Sequence, residues 1–349
     1  MTGIRIQGVG SAVPEHVCGQ DSVRQVVENL FSERVQNLER LLKVFDHLHI
    51  EQRYIAREPE WYGKDRGFGE TNDLFIETAK KLSTEAAQLA IARAALRAGD
   101  FGGIVVASTT GMMTPSLEAY LAQDLGMPLD VVRVPLFGLG CAGGVAGLAR
   151  AAELSASRDG APVLFVAVEI CSATFQRHDL SKSNLVGTSI FGDGAAAVVV
   201  GRADVGPEVV GSYHRLFPDT YDIMGWDFID SGMKVRFSRD IPNFVRTHLP
   251  GVLQEACASW SIAQEEITFF ITHPGGAKVL EAFAEVIGGD QNTLAASREV
   301  LRLHGNMSSA SILFVLETMI HDHELQPGYG LMSALGPGFS SDQLLLHNP

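Results

Sequence analysis

A cysteine, a histidine and an asparagine each stand at a glycine-containing turn, before residues that favour a helix: Cys141 in PLFGLGCAGGVAGLARAAEL, His273 in THPGGAKVLEAF and Asn306 in LHGNMSSASILF. Together these residue types can run acyl-thioester chemistry. A thiol attacks a thioester carbonyl, and an imidazole takes the thiol proton and later donates a hydrogen bond. A carboxamide N–H adds a second donor to the same oxygen. A carbonyl held by two such donors is an electron sink, so a malonyl thioester placed there can lose CO2 to a stabilised enolate. Taken singly, the residues have plainer readings: Cys141 as a buried structural cysteine, His273 as a hydrogen-bonded surface histidine, Asn306 as a helix cap.

The elements that position them follow from periodicity. Residues Val131 to Phe137 read as a buried strand and Ala142 onward as a helix, which puts Cys141 at a helix N-terminus. There the macrodipole is expected to pull the thiol below its usual pKa of roughly 8.5. Gly138, Gly140, Gly143 and Gly144 are expected to clear space for a substrate carbonyl. Further strand-like runs are Ile4 to Gly8, Ile104 to Ser108, Val163 to Val168, Ala196 to Val200, Ile267 to Thr272, Gly330 to Ala334 and Gln343 to Leu346. Helical patterns at Leu74 to Arg97, Ala142 to Ser157, Asn243 to Trp260, Ala277 to Ile287 and Ser308 to Asp322 alternate with them. That alternation predicts a layered α/β fold. IVVASTTG also overlays TFFITHPG, so that Thr109 matches His273, and Cys141 then follows at nearly the separation of Asn306 from His273. The match suggests a duplicated unit; chance recurrence of a short strand-and-turn pattern is the alternative.

Composition bounds the class. A chain of 349 residues, 46% hydrophobic, is long enough for two fused cores. A formal net charge of -14 argues against nucleic acid or an anionic membrane as the main partner, while leaving room for a local phosphate site. Cys18, Cys141, Cys171 and Cys257 are widely separated and show neither metal-ligand spacing nor a disulfide framework, which fits a reducing cytoplasm. The start MTGIRIQGVGSAVP lacks a signal-peptide pattern, and no apolar run approaches the roughly 18 residues of a membrane span. A soluble cytoplasmic protein is expected.

The motifs GLGCAGG, FGDGAAAVVVG, THPGG, GNMSSAS and ALGPGF, in this order, resemble those of type III polyketide synthases of the chalcone synthase type, homodimeric members of the thiolase superfamily. The likeness runs from GVGSAVP to LGPGFSSD. It implies a five-layered αβαβα thiolase-like fold from two duplicated βα halves, residues 1–205 carrying the nucleophilic cysteine and 206–349 the histidine and asparagine. It implies that Cys141 carries the growing acyl chain and that His273 and Asn306 assist decarboxylation. Free acyl-CoA and malonyl-CoA would be the substrates, with no cofactor.

The resemblance also assigns the pocket. Phe191 matches a gatekeeper phenylalanine, and Val235 replaces a second one, implying a wider portal. Trp226 stands where plant members have a cavity glycine, and Thr114 where a methionine crosses their dimer interface. Cys171 replaces a cavity threonine and Thr174 matches another. Arg53, near Arg57, Lys64 and Arg66, falls in a basic segment at the CoA entrance; Gly275, Gly276 and Ser308 are assigned to the CoA arm. EWYGKDRGFGETND, SKSNLVGTSIFGDG and MGWDFIDSGMKVRFSRDIP are similar to segments of bacterial members that make alkylpyrones and alkylresorcinols from fatty acyl-CoA. A β-ketoacyl-carrier-protein synthase III shares the chemistry but usually reads His-Gln-Ala-Asn where this chain has His-Pro-Gly-Gly. A cysteine thioester hydrolase and a non-catalytic acyl-binding relative complete the alternatives.

Overall fold

The computed structural model describes residues 3–32, 38–238, 240–290, 292–322 and 325–349. Its strands are β1 (Ile4–Ala12), β2 (His16–Gly19), β3 (Gln52–Ile55), β4 (Gly103–Ala107), β5 (Val132–Leu136), β6 (Val163–Ile170), β7 (Asp193–Arg202), β8 (Glu208–Leu216), β9 (Met224–Ile229), β10 (Gly232–Phe237), β11 (Ile267–Thr272), β12 (Gly328–Gly336) and β13 (Ser340–Asn348). The helices are α1 (Gln20–Phe31), α2 (Leu38–Leu42), α3 (Pro59–Tyr62), α4 (Phe68–Arg93), α5 (Leu117–Asp124), α6 (Gly143–Ser157), α7 (Lys182–Ile190), α8 (Ile241–Trp260), α9 (Ala277–Ile287), α10 (Ala295–His304) and α11 (Ser311–His321).

Nine strands form one continuous ladder in the order β11-β12-β13-β8-β1-β7-β6-β4-β5. It is two half-sheets. Running outward, β1, β7, β6 and β4 pair antiparallel, antiparallel, parallel, and β8, β13, β12 and β11 repeat that pattern. The halves meet at a single backbone pair, Arg5 with Glu208, whose side chains also form a 2.8 Å ion pair. The repeated pattern is what a duplicated unit produces.

Alternation along the strands sends their side chains into different layers. In the middle, Val145 and Leu148 of α6 and Ile312 to Leu316 of α11 pack against Val105, Phe165 and Val198 of one half-sheet and Ile271, Met332 and Leu344 of the other. On one outside face, Leu82, Ala86 and Ala90 of α4 cover Ile104, Val106 and Leu164. On the other, α8 and α9 cover Ile267 and Leu331 through Leu249, Leu253, Leu280 and Phe283. The five layers are α, β, α, β, α, as expected. Strand β6 is buried along its whole length, the pattern of a strand covered on both faces. No helix of the described residues is long and apolar enough to cross a membrane.

The elements read from sequence recur with modest shifts at their ends, but β5, expected to be buried, is the edge strand of the ladder and is half-exposed. Helix α4 starts at Phe68 rather than Leu74 and ends at Arg93 rather than Arg97; Ala95 just beyond it takes φ 54°. The pattern expected to be helical from Ser308 begins as a 3-10 turn, Ser308–Ala310, and becomes α-helix at Ser311.

Candidate active site

Cys141 lies in a 3-10 turn, Gly140–Ala142, at the head of α6. Gly140 takes φ 49°, and a Cβ there would come within 2.7 Å of Pro337. Its N–H donates to Thr109 Oγ1 at 3.1 Å. Gly143 and Gly144 do something other than clear space for substrate. A Cβ on Gly144 would meet the Ser309 carbonyl oxygen and Ile312 Cγ2 at 2.4 Å, and one on Gly143 would meet Ser309 Cβ at 3.0 Å. These glycines let the two central helices touch, which brings the Asn306 loop to Cys141.

His273 follows β11, and its backbone N–H donates to Ser333 O at 2.9 Å. Its side chain is 6% exposed, and neither ring nitrogen has a hydrogen-bond partner among the described residues. Two unpartnered nitrogens on a buried imidazole are costly unless a ligand uses them. Gly275 passes under the ring: a Cβ there would lie 3.4 Å from His273 Cδ2. Gly276, with φ 152°, opens α9, and a Cβ on it would meet nothing.

Asn306 links the loops. Its Nδ2 donates to Gly275 O at 3.2 Å and its Oδ1 accepts from Ser308 N–H at 2.8 Å. A carboxamide has two Nδ2 hydrogens, and the one not given to Gly275 faces the Cys141 sulfur. Asn306 and Ser308 are also the side chains that reach the Cys141 sulfur. Ser308, held at φ 47°, therefore sits against the thiol rather than along a CoA arm.

The expected low thiol pKa is not found. Burial pushes Cys141 up to about 12, with the Glu169 carboxylate adding to the rise and the bonds from Ser308 and Asn306 opposing it. Against a usual value of 9 that is about 4 kcal/mol unfavourable to the thiolate, whereas a helix N-terminus supplies at most about 2 kcal/mol. Burial also lowers His273 to about 3. Each group charged alone is unfavourable here. A proton passed from Cys141 to His273 would make both charges together, so that their attraction opposed part of the desolvation cost. His273→Ala should accordingly slow iodoacetamide labelling of Cys141 at pH 7 by at least about tenfold, with the rate then climbing about tenfold per pH unit as the lone thiol ionises. Labelling of that variant at the wild-type rate at pH 7 would show the helix terminus to suffice.

Sequence reasoning missed Glu169, at 0% exposure. Its Oε2 accepts from Thr109 N–H at 3.0 Å, Thr110 N–H at 3.1 Å and Thr110 Oγ1 at 2.8 Å. Its Oε1 accepts from Ser309 Oγ at 2.6 Å and Ser308 Oγ at 3.3 Å. One carboxyl thus ties the loop after β4 to the turn that opens α11. Burial raises its pKa despite those donors. The available signal was an acidic residue inside VLFVAVEI; the strand as read from sequence stopped one residue short, at Val168.

Beside this centre is an apolar pocket of about 100 Å³ whose lining includes Tyr62, Cys171, Thr174, Phe191, Trp226 and Val235. Trp226 of β9 stacks on Phe191, with centroids 5.9 Å apart and planes at 27°. Val235 of β10 pairs with Trp226 across the hairpin and is buried, so it is a wall of this pocket. Thr174 Oγ1 donates to Cys171 O at 2.7 Å. Phe191 forms a parallel bridge with Asn306, and the charge of Cys171 is coupled to that of Cys141. Phe191, through its backbone, and Cys171 therefore border both the pocket and the Cys141 centre. A chain of hydrogen bonds, Tyr62 Oη to Ser172 Oγ at 2.7 Å and Ser172 Oγ to Asp193, braces one side.

Other assignments part from this cluster. Thr114 is exposed, in the loop that lines a separate cavity of about 320 Å³ with Met113, Leu117 and Phe137. Arg53, expected at the CoA phosphates, is 1% exposed and spends its N–H groups inside the protein, on Gln20 Oε1 and the carbonyls of Thr188, Ser189 and Phe191. Its position on β3, under α7, turns it inward. Arg57 pairs with Glu77 at 2.6 Å and Arg66 with Glu70 at 2.7 Å. Arg66 also lies 4.0 Å over the Trp61 ring. Lys64 borders a polar cavity of about 230 Å³ beside Tyr62.

Residues 3–204 match the family of chalcone and stilbene synthases, N-terminal domain, and residues 208–348 the C-terminal domain. A 1,3,6,8-tetrahydroxynaphthalene synthase of Streptomyces peucetius subsp. caesius is 37% identical over 99% of this chain and 93% of its own. An alpha-pyrone synthesis polyketide synthase-like protein of Mycobacterium tuberculosis is 28% identical over 97% of this chain and 90% of its own. The crystal structure of the 1,3,6,8-tetrahydroxynaphthalene synthase of Streptomyces coelicolor A3(2), a bacterial type III polyketide synthase, superposes with a TM-score of 0.94 at 27% identity, covering 98% of this chain and 99% of that one. With both domains matched end to end and the layered fold shared, the chain belongs to the chalcone and stilbene synthase family and is a type III polyketide synthase, an acyltransferase working by Claisen condensation.

Proposed function

We propose that this synthase loads a fatty acyl group from CoA onto Cys141, extends it with malonyl-CoA, and releases an alkylpyrone or a related ring. The thiol passes its proton to His273 as sulfur attacks the starter thioester, and the departing CoA thiolate takes that proton back. Malonyl-CoA then places its thioester oxygen between a His273 ring N–H and the second Nδ2 hydrogen of Asn306. The C–C bond to the carboxylate breaks, CO2 leaves, and its electron pair becomes the enolate. The enolate carbon attacks the Cys141 thioester, expelling the thiolate and leaving a chain two carbons longer on CoA. Return of that chain to Cys141 repeats the cycle. Phe191 presents an apolar ring at the carboxylate, which favours the uncharged product CO2.

One observation carries the fatty acyl reading: the pocket bordered by Cys171 and Phe191, beside Cys141, is almost wholly apolar, as an alkyl chain requires. The name of the Mycobacterium tuberculosis relative, for alpha-pyrone synthesis, agrees with it. The tetrahydroxynaphthalene synthases favour a second reading, in which malonyl units alone give a polyhydroxylated aromatic. Mass spectrometry of products from malonyl-CoA with acyl-CoA starters of increasing length separates the two. Alkyl-bearing products spaced by ketide units support the first, and a single product formed without any starter supports the second. Trp226→Gly should lengthen the products by at least one ketide unit or admit longer starters; an unchanged profile would remove Trp226 from the chain-length wall.

We also place the enzyme in the cytoplasm as a homodimer. All four cysteines are free and buried. The exposed Met112 and Phe137 near the Thr114 loop provide apolar surface suited to a second copy.

A further inference from the structure

We propose that Arg53 is a positioning residue for decarboxylation, acting through the backbone of residues 188–192 on Phe191 and Asn306. This rests on the reading above, in which Asn306 holds the malonyl thioester oxygen and Phe191 faces its carboxylate.

Arg53 is one of the largest fully buried side chains, and among the described residues no carboxylate pairs with it. Its Nη1 donates to Thr188 O at 2.9 Å and Phe191 O at 3.1 Å, and its Nη2 to Ser189 O at 2.7 Å and to Gln20 Oε1. Those carbonyls are the C-terminal end of α7 and the residue just past it, where unpaired backbone oxygens and the negative end of the dipole meet. Gln20 completes the clamp, its Nε2 donating to Ser189 O at 3.1 Å.

The clamped segment is registered to the oxyanion donor. Asn306 N–H donates to Ile190 O at 2.8 Å, and Gly192 N–H donates to Asn306 O at 3.1 Å. These bonds flank Phe191 on both sides, so Phe191 and Asn306 move as a unit. The fit is close: a Cβ on Gly192 would meet His304 O at 2.3 Å and Arg53 Cβ at 3.3 Å, and one on Gly305 would meet Ile190 O at 2.7 Å. Arg53 is thus the wedge that sets this unit's height above β3. Burial lowers its pKa to about 10, which still leaves a cation at neutral pH to hold the carbonyls. Cys141 and His273 lie on other loops, so acyl loading, to which Asn306 is an auxiliary, depends less on the wedge than decarboxylation does.

The test uses full-length Arg53→Gln, Arg53→Lys and Gln20→Leu. Acylation of Cys141 from a starter acyl-CoA is followed by intact-mass spectrometry and CO2 release from malonyl-CoA by trapping, both normalised to folded protein by thermal melts. Because misplacement by about 1 Å can cost roughly 100-fold in rate, kcat for CO2 release should fall about 10- to 100-fold in Arg53→Gln while acylation stays within about threefold. Gln20→Leu should show the same selective loss at smaller size. Arg53→Lys should fall between Arg53→Gln and wild type, since lysine keeps the charge but not the planar fork. KM for malonyl-CoA should stay within about twofold. Should Arg53→Gln fail to fold, the ratio of the two rates in Gln20→Leu decides. Equal losses in both steps, or none, overturn the proposal. A raised KM for malonyl-CoA with an unchanged KM for malonyl-N-acetylcysteamine would return Arg53 to the CoA phosphates. A starter acyl adduct of the wild-type enzyme borne by a residue other than Cys141 would instead refute the nucleophile assignment, separately from Arg53.

Discussion

Cys141→Ala is expected to form no acyl-enzyme and to lose product formation by at least about 10⁴-fold, the order seen when a covalent nucleophile is removed. The thiol is 6% exposed and close-packed by Asn306, Ser308 and the head of α6, so the smaller alanine should leave the fold intact. Intact-mass spectrometry after incubation with a starter acyl-CoA reads the result directly. An acyl adduct persisting in the variant would move the nucleophile elsewhere, with Cys171 the first place to look. Decarboxylation of malonyl-CoA separates the roles further: with His273 and Asn306 unchanged, Cys141→Ala should still release CO2 without condensing it into product.

Asn306→Ala should have the complementary effect. Removing one oxyanion donor costs about 2.7–4 kcal/mol, or roughly 10²–10³ in kcat. Cys141 should still be acylated by a starter, more slowly, because His273 remains, whereas CO2 release should fall by that factor. The variant also loses the bonds to Gly275 O and Ser308 N–H. Asn306→Asp is therefore the paired control: it keeps the acceptor for Ser308 but offers no N–H to the enolate. Decarboxylation retained in both variants would show that His273 alone holds the oxygen.

Much of the scaffold was legible because β6 and β7 are nearly continuous apolar runs, and because Cys141 and Asn306 each precede a helix of small and apolar residues. The repeated spacing pointed to the duplication that the strand pairing then displays. What escaped the sequence was burial by distant parts of the chain. Arg53 reads as a surface cation in EQRYIAR, and only the packing of α7 over β3 turns it inward. The helix terminus under Cys141 can be seen in a string of letters; the desolvation that outweighs it cannot. Glu169 escaped for a related reason, since its donors come from Thr109, Thr110, Ser308 and Ser309, far apart in the chain. Strands β8 to β10 are half-exposed and carry polar residues on both sides of their alternation, so periodicity gave them no clear outline.

The hairpin that supplies Trp226 and Val235 is a separate two-stranded sheet, and so is the β2–β3 pair that carries Cys18 and Arg53. Much of the wall of the apolar pocket therefore hangs on elements outside the nine-stranded ladder, while Cys141, His273 and Asn306 sit on its central helices and strand ends. The hairpin carries none of Cys141, His273 and Asn306, whereas Arg53 ties the β2–β3 pair to the chemistry. Side chains of the hairpin can be exchanged at a cost confined to a small local sheet, leaving the reacting atoms in register. The molecule is thereby organised as a fixed engine with an interchangeable mould.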